Sequence, residues 1–214
     1  MTAPDCAWVA GATGLVGREL LALQPARQVH ALLRRPQALA AGVTAHQVDY
    51  AALDLSALPP PRHAYCALGT TIKIAGSQAA FRGVDFDAVL AFARAAHASG
   101  ATSFGLVSAL GASAASGLFY NHVKGEVEAA LRLLGFRSLV IARPSLLQGD
   151  REALGQPARP MERLAQVLAL PLRAVLPNGV RPIAAASVAR ALVRAVQHEQ
   201  PGVQVLESGA MQEL

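Results

Sequence analysis

The stretch Val9-Ala10-Gly11-Ala12-Thr13-Gly14-Leu15-Val16-Gly17 constrains this chain more than any other. Gly11, Gly14 and Gly17 recur at three-residue spacing. The apolar segment Cys6–Ala10 precedes them, and a helical pattern with Leu15, Val16, Leu20 and Leu21 follows. Strand, glycine turn, helix is the setting in which such a triplet has physical meaning. The first glycine permits a tight turn, the second lets a pyrophosphate approach the backbone, and the third lets helix and strand pack closely. The helix start then offers free N–H groups and a partial positive charge to phosphate. Glycines also mark ordinary turns; it is the flanking pattern that selects the phosphate reading.

The remaining strands and helices alternate. Extended segments are expected at Gln28–Leu33, Thr44–Val48, His63–Leu68, Ser103–Ser108, Ser138–Ala142, Val180–Ile183 and Val203–Leu206. Helices are expected near Asp85–Ser99, Phe119–Leu134, Met161–Leu170 and from Ser187, as cap, to Gln197. The prolines at 59–61 mark a stiff loop. Lys73–Gly83 reads as a loop broken by Gly76 and Gly83, Ala109–Gly117 as a small, flexible loop able to wrap a ligand, and Gln148–Arg159 as polar and loop-like. The alternation implies an α/β fold: a doubly wound parallel sheet of Rossmann type. Its ligand belongs beyond the carboxyl ends of the strands, where Gly11, Arg34, Asp49, Gly69 and Ser108 all fall. Residues 1–214 are expected to form a single nucleotide-binding domain, with residues 145–214 as a small C-terminal substrate-side region.

Composition narrows the function classes. Hydrophobic residues make up 53% and charged residues 15%, which excludes disorder. Net charge is +5, but the basic residues are scattered and Arg34-Arg35 is the longest run. That favours an anionic small ligand over nucleic acid, which is not expected as a partner. Cys6 and Cys66 fall in apolar strands and are expected to be inert core thiols. The six histidines never fall at H-x-x-x-H spacing, so no metal site is expected. No basic leader precedes the first strand and no apolar run reaches the ~20 residues of a membrane span. A cytoplasmic protein is therefore expected. A homodimer is compatible with the sequence.

The end of the second strand distinguishes the two nicotinamide cofactors. An acidic residue about 20 positions past the motif would bind a free ribose 2′-hydroxyl. Arg34 and Arg35 stand there instead. Guanidinium groups favour a 2′-phosphate and stack on adenine, so NADP(H) is expected over NAD. A solvated strand end is the plainer account of the two arginines.

A second constellation opens the helix after the fifth strand. Tyr120 and Lys124 lie four apart and share a helix face; Ser108 ends the preceding strand. A phenol with an ordinary pKa near ~10 needs a nearby cation to act as acid and base at neutral pH. Lys124 can supply that cation and hold a ribose, and Ser108 can donate to a substrate oxygen. His122, Glu126 and Glu128 read as solvated helix surface. Arg151 and Arg159 follow the sixth strand and have a conceivable role with an anionic substrate group, though exposed surface arginines explain them as well.

GATGLVG, VSALGA and YNHVK together resemble the short-chain dehydrogenase/reductase superfamily, in its extended or atypical branch. CALGTT (66–71), LVSALGASAASGLFYNHVKGEVE (106–128) and IARPSLLQGDRE (141–152) are similar to the Tat-interacting oxidoreductase-like group. The resemblance implies a Rossmann-type fold and Ser108, Tyr120 and Lys124 as the catalytic trio. It implies a cofactor set of Gly11, Ala12, Thr13, Gly14, Leu15, Val16, Gly17, Arg34, Arg35, Asp49, Leu68, Gly69, Thr70, Tyr120, Lys124 and Pro144. Asp49 would stand near the adenine and Pro144 beside the nicotinamide. The expected function is an NADP(H)-dependent oxidoreductase acting on an unidentified carbonyl or alcohol. Two alternatives stand beside it: a sugar-nucleotide epimerase or dehydratase, against which the small C-terminal part argues, and a redox-sensing or scaffold protein that binds NADPH, for which the apolar segment Leu164–Leu176 would offer an interface.

Overall fold

The computed structural model describes residues 6–26, 28–148 and 179–213. The expected helix Met161–Leu170, the segment Leu164–Leu176, Arg151 and Arg159 lie outside them.

Seven parallel strands form the central sheet in the order β3-β2-β1-β4-β5-β6-β9. They are β1 (Cys6–Ala10), β2 (Gln28–Leu33), β3 (Val43–Gln47), β4 (His63–Cys66), β5 (Ser103–Val107), β6 (Ser138–Arg143) and β9 (Gly202–Glu207). A two-stranded ribbon pairs β7 (Leu147–Gln148) with β8 (Ile183–Ala184). The doubly wound α/β architecture is the one expected. Its central strands β1, β4, β5 and β6 are almost wholly buried, as strands covered on both faces must be.

Alternation along those strands divides the core in two. Trp8, Cys66, Phe104 and Ile141 point to one face, where Phe92, Val127 and Leu131 cover them from helices α4 (Val89–Ala98) and α5 (Phe119–Arg132). Val9, Tyr65 and Val140 point to the other, beneath α1 (Leu15–Leu23) and α6 (Ala185–Gln197), which bring Leu20, Val188 and Leu192. Both cysteines are buried, as expected, and neither forms a disulfide among the described residues. No helix among the described residues is long and apolar enough to cross a membrane.

Three local expectations fail for identifiable reasons. The Lys73–Gly83 region is helical: α2 (Ile72–Ala75) and α3 (Gln78–Arg82) flank Gly76. Thr71 and Ser77 cap them by accepting the Ile74 and Ala80 amides, and Gly76, at φ 88°, ends the first as a left-handed C-cap rather than opening a loop. Gly83 has helical dihedrals and leads into a π-helical turn, Gly83–Ala88, so the expected helix at Asp85 begins with wider hydrogen bonding. Ser187 is not a cap: Ala184, held in the β7–β8 ribbon, precedes the helix, and Ser187 lies inside its first turn. A last helix, α7 (Ser208–Gln212), follows β9 directly.

Candidate active site

The glycine loop leaves β1 with Gly11 at φ 77°, a conformation that L side chains rarely adopt. A Cβ there would meet the Ala67 carbonyl carbon at 2.4 Å, so β4 passes directly against the loop. At Gly17 a Cβ would lie 2.0 Å from the Gly11 oxygen, which locks the start of α1 onto the turn. Gly14 is different: its nearest neighbour would be the Gly11 oxygen at 3.4 Å, and its outer side is open. Gly14 is also the N-cap of α1 and no side chain caps that helix start. Its first-turn amides thus face the cleft without a protein acceptor, and that is what a phosphate requires.

The cleft, of about 760 Å³, runs over the carboxyl ends of the strands. Gly11, Ala12, Thr13, Gly14, Leu15, Val16, Arg34, Arg35, Leu68, Gly69, Thr70, Ser108, Tyr120 and Lys124 line it together. Gly17 packs beneath the loop instead. Asp49 lines an adjoining pocket of about 460 Å³ that shares Arg34, Tyr50, Leu68 and Val84 with the cleft. Its carboxylate accepts the Ala51 amide at 2.9 Å. Pro144 is buried and does not line the cleft; its carbonyl accepts the Leu110 amide, and Leu147 takes the lining position after β6. Arg34 and Arg35 are exposed at the end of β2 and pair with no carboxylate among the described residues.

Helix α5 supplies three polar residues on one stripe: Tyr120, Lys124 and Glu128, each a turn apart. Tyr120 packs on Phe81, ring centroids 5.4 Å apart. Lys124 is buried, and its ammonium lies 2.8 Å from Asp85 Oδ1. Burial works against that charge, but Asp85 outweighs it and the amine is held above its ordinary range. Beside the pair, burial pushes the Cys66 thiol up to about 12.

Ser108 donates its hydroxyl proton to Glu128 Oε1 at 2.5 Å. Glu128 is buried, 3% exposed, and grips Arg143 through two hydrogen bonds, from Nε at 3.1 Å and Nη2 at 2.6 Å. The expectation of a solvated Glu128 is therefore corrected: its helix face meets the end of β6, and Arg143 compensates the charge. An ionised carboxylate only accepts, so Ser108 turns lone pairs, not its proton, to the cleft. Glu126 and His122 are both partly exposed; Glu126 pairs with Arg82, and His122 lies 3.6 Å from Glu126. The Ala109–Gly117 loop is pinned at a few points, while Leu110, Gly111, Ala114, Ala115 and Gly117 are exposed. Ala109 and Ala112 are buried, Ser113 donates its amide to the Asn121 carbonyl, and a Cβ at Gly125 would lie 2.0 Å from the Ser113 carbonyl carbon.

Sequence reasoning missed Asp85 and Arg143. Asp85 stands in the short pattern Gly-Val-Asp-Phe-Asp, where Asp87 is an equal candidate; only the π turn decides which one points inward. Glu128 was in plain view, at Lys124 plus four, the spacing that repeats the Tyr120–Lys124 face.

A seven-stranded Rossmann sheet with Ser, Tyr and Lys beside a glycine loop defines the short-chain dehydrogenase/reductase class. The chain matches "Protein fmp52, mitochondrial" of Emericella nidulans at 35% identity over 172 residues, 74% of this chain and 72% of the relative. It matches "Protein HTATIP2" of Rattus norvegicus at 42% identity over 121 residues, 56% of this chain and 48% of that protein. No family model matches it. Among solved structures, an oxidoreductase of the short-chain dehydrogenase/reductase family from Burkholderia thailandensis superposes with a TM-score of 0.72 at 17% identity, covering 98% of this chain and 93% of that one. MoeE5 in complex with UDP-glucuronic acid and NAD superposes with a TM-score of 0.71 at 20% identity, covering 95% and 76%. The chain belongs to the family of fmp52 and the Tat-interacting protein HTATIP2, atypical short-chain dehydrogenase/reductases, as the sequence resemblance implied. The expectation of a cytoplasmic protein is overturned by the fungal relatives, whose names read mitochondrial.

Proposed function

We propose that the chain is an NADP(H)-dependent oxidoreductase acting on a small carbonyl compound or alcohol. One observation carries the reading: Ser108, Tyr120 and Lys124 line the same cleft as an uncapped glycine-loop helix start. The residues fit a dinucleotide. Gly14 leaves room for a pyrophosphate, the α1 amides would hold it, Gly69 and Thr70 would follow its course, and Arg34 and Arg35 would meet a 2′-phosphate. The nicotinamide, when bound, supplies or takes the hydride. Tyr120 exchanges a proton with the substrate oxygen, Lys124 supports Tyr120 and holds the ribose, and Ser108 orients the substrate oxygen. With its own proton engaged by Glu128, Ser108 accepts from a substrate hydroxyl without breaking a bond, whereas donating to a carbonyl costs the Glu128 contact. In this reading residues 145–214 would supply the substrate side of the same domain, and the protein would work without nucleic acid.

The test is direct. NADPH and NADH dissociation constants are compared, and NADPH consumption is followed over a carbonyl panel with wild type and Tyr120→Phe. Tighter NADPH binding with loss of turnover in Tyr120→Phe is expected. Equal affinities overturn the NADP assignment, and undiminished turnover overturns the role of Tyr120.

A second reading, a sugar-nucleotide epimerase or dehydratase, draws support from solved structures of this fold: MoeE5 with UDP-glucuronic acid and NAD, and a UDP-glucose 4-epimerase with UDP-glucose. Tightly held NAD in the purified protein, in place of exchangeable NADPH, would favour it.

A further inference from the structure

Lys124 does not face Tyr120 as a lone cation. Asp85, 0% exposed, reaches it from the π-helical turn Gly83–Ala88, and the two groups meet at 2.8 Å with the lysine side chain only 4% exposed. The second carboxylate oxygen accepts the Thr70 amide at 2.9 Å. The pair lies directly under the backbone of Gly69, where a Cβ would stand 3.4 Å from Asp85 Oδ1 and 3.7 Å from Lys124 Nζ. The loop after β4, the π turn and α5 are therefore joined at one carboxylate. The titratable groups that bear on the pair are Tyr120, one turn back on α5, and Cys66 at the end of β4.

A free ammonium one helical turn away would draw the proton off a phenol. An ammonium matched by a buried carboxylate does so far less, because the two fields oppose one another at the phenol oxygen. The aspartate also holds the ammonium against the inner wall of the cleft.

We propose that Asp85 is a positioning residue that holds Lys124 as a neutralised hydrogen-bond donor, so that Tyr120 keeps its proton in the free protein and the site is set for carbonyl reduction. This rests on the reading of Tyr120 as the proton carrier. In that direction a reduced nicotinamide held in the cleft would supply the hydride to the carbonyl carbon, the Tyr120 hydroxyl would give its proton to the carbonyl oxygen, and the phenolate would regain a proton from water. The product hydroxyl then finds Ser108 as acceptor.

The test needs no substrate. Tyrosinate absorbance is followed against pH in wild type, Asp85→Asn, Asp85→Glu and Lys124→Met, each beside the same protein carrying Tyr120→Phe. The difference isolates Tyr120, because Tyr50 and Tyr65, both raised by burial, are common to each pair. The Tyr120 transition is expected to move down by about 1 pH unit in Asp85→Asn, roughly tenfold more tyrosinate at a given pH. Asp85→Glu restores it, and Lys124→Met moves it up, since the carboxylate is then unopposed. A transition unmoved or raised in Asp85→Asn overturns the proposal. Should that variant not fold, an unmoved transition in Lys124→Met does the same. NADPH affinity, measured by fluorescence on the same proteins, reports separately: wild type that binds no NADPH overturns the reductase reading, whatever the tyrosinate curves do.

Discussion

Ser108 donates its hydroxyl proton to Glu128 across 2.5 Å in the buried wall of the cleft, and Arg143 closes the arrangement from the end of β6. Removing the carboxylate in Glu128→Ala leaves a half-buried guanidinium with Glu207, at 3.2 Å, as its remaining partner. The expected loss is about 3 kcal/mol, seen as a lower denaturant midpoint. Glu128→Gln keeps the shape and loses less stability. Its amide can donate to Ser108, which frees the serine proton towards the cleft, so binding of hydroxyl-bearing ligands should weaken relative to matched carbonyl ligands.

Two of the loop glycines, Gly14 and Gly17, should separate cleanly on substitution. Gly17→Ala sets a methyl 2.0 Å from the Gly11 oxygen and is expected to lower the melting temperature sharply. Gly14→Ala meets nothing closer than 3.4 Å and should fold with near-native stability while losing cofactor affinity. Thermal melts paired with NADPH titrations on both variants check the contrast.

Arg34→Ala and Arg35→Ala are expected to weaken NADPH binding by about tenfold each, the size of one charge-assisted hydrogen bond. NADH binding should barely change. The discrimination between the two nucleotides is the quantity to measure.

At the opposite end of the sheet, Glu199 accepts from Arg62 at 2.6 Å, His63 at 2.8 Å and Thr102 at 3.3 Å. Hydrogen bonding from Arg62, then from His63, brings its carboxyl down from 4.5 to about 2, against the opposing effect of burial. The folded value is depressed, so the stabilisation is present above pH 4.5 and drains away as pH falls towards 2. Wild type should exceed Glu199→Gln by on the order of 2 kcal/mol at neutral pH. The two stability curves should converge in acid. Parallel curves would show that the carboxylate contributes nothing through its charge.

The sheet was legible because its strands are short apolar runs closed by glycine or polar residues at a common edge: Gly11 after β1, Arg34 after β2, Gly69 after β4, Ser108 after β5. The shared face of Tyr120 and Lys124 was legible from helix periodicity, and the position of Ser108 from the end of the fifth strand. What stayed hidden depends on tertiary register. Glu128 looks solvated next to Glu126 in the sequence, and only the course of β6 brings Arg143 to it. Asp85 points inward because the π turn rotates the chain at Gly83–Ala88, and no composition signal marks a π turn. The caps Thr71 and Ser77 were present in the sequence, yet Gly76 between them reads as a breaker until its left-handed conformation is seen.

The seam at Gly125 has a further consequence. There the helix carrying Tyr120 and Lys124 meets the loop that follows Ser108 main chain to main chain, with no room for even a methyl group. The spacing between the two is thus set by peptide units rather than by side chains. Variation among descendants of this chain can recolour the cleft or reshape its other borders, but this wall behaves as a fixed gauge. Changes of substrate size have to be absorbed elsewhere, and replacing this one glycine would move the proton-handling residues apart without touching any of them.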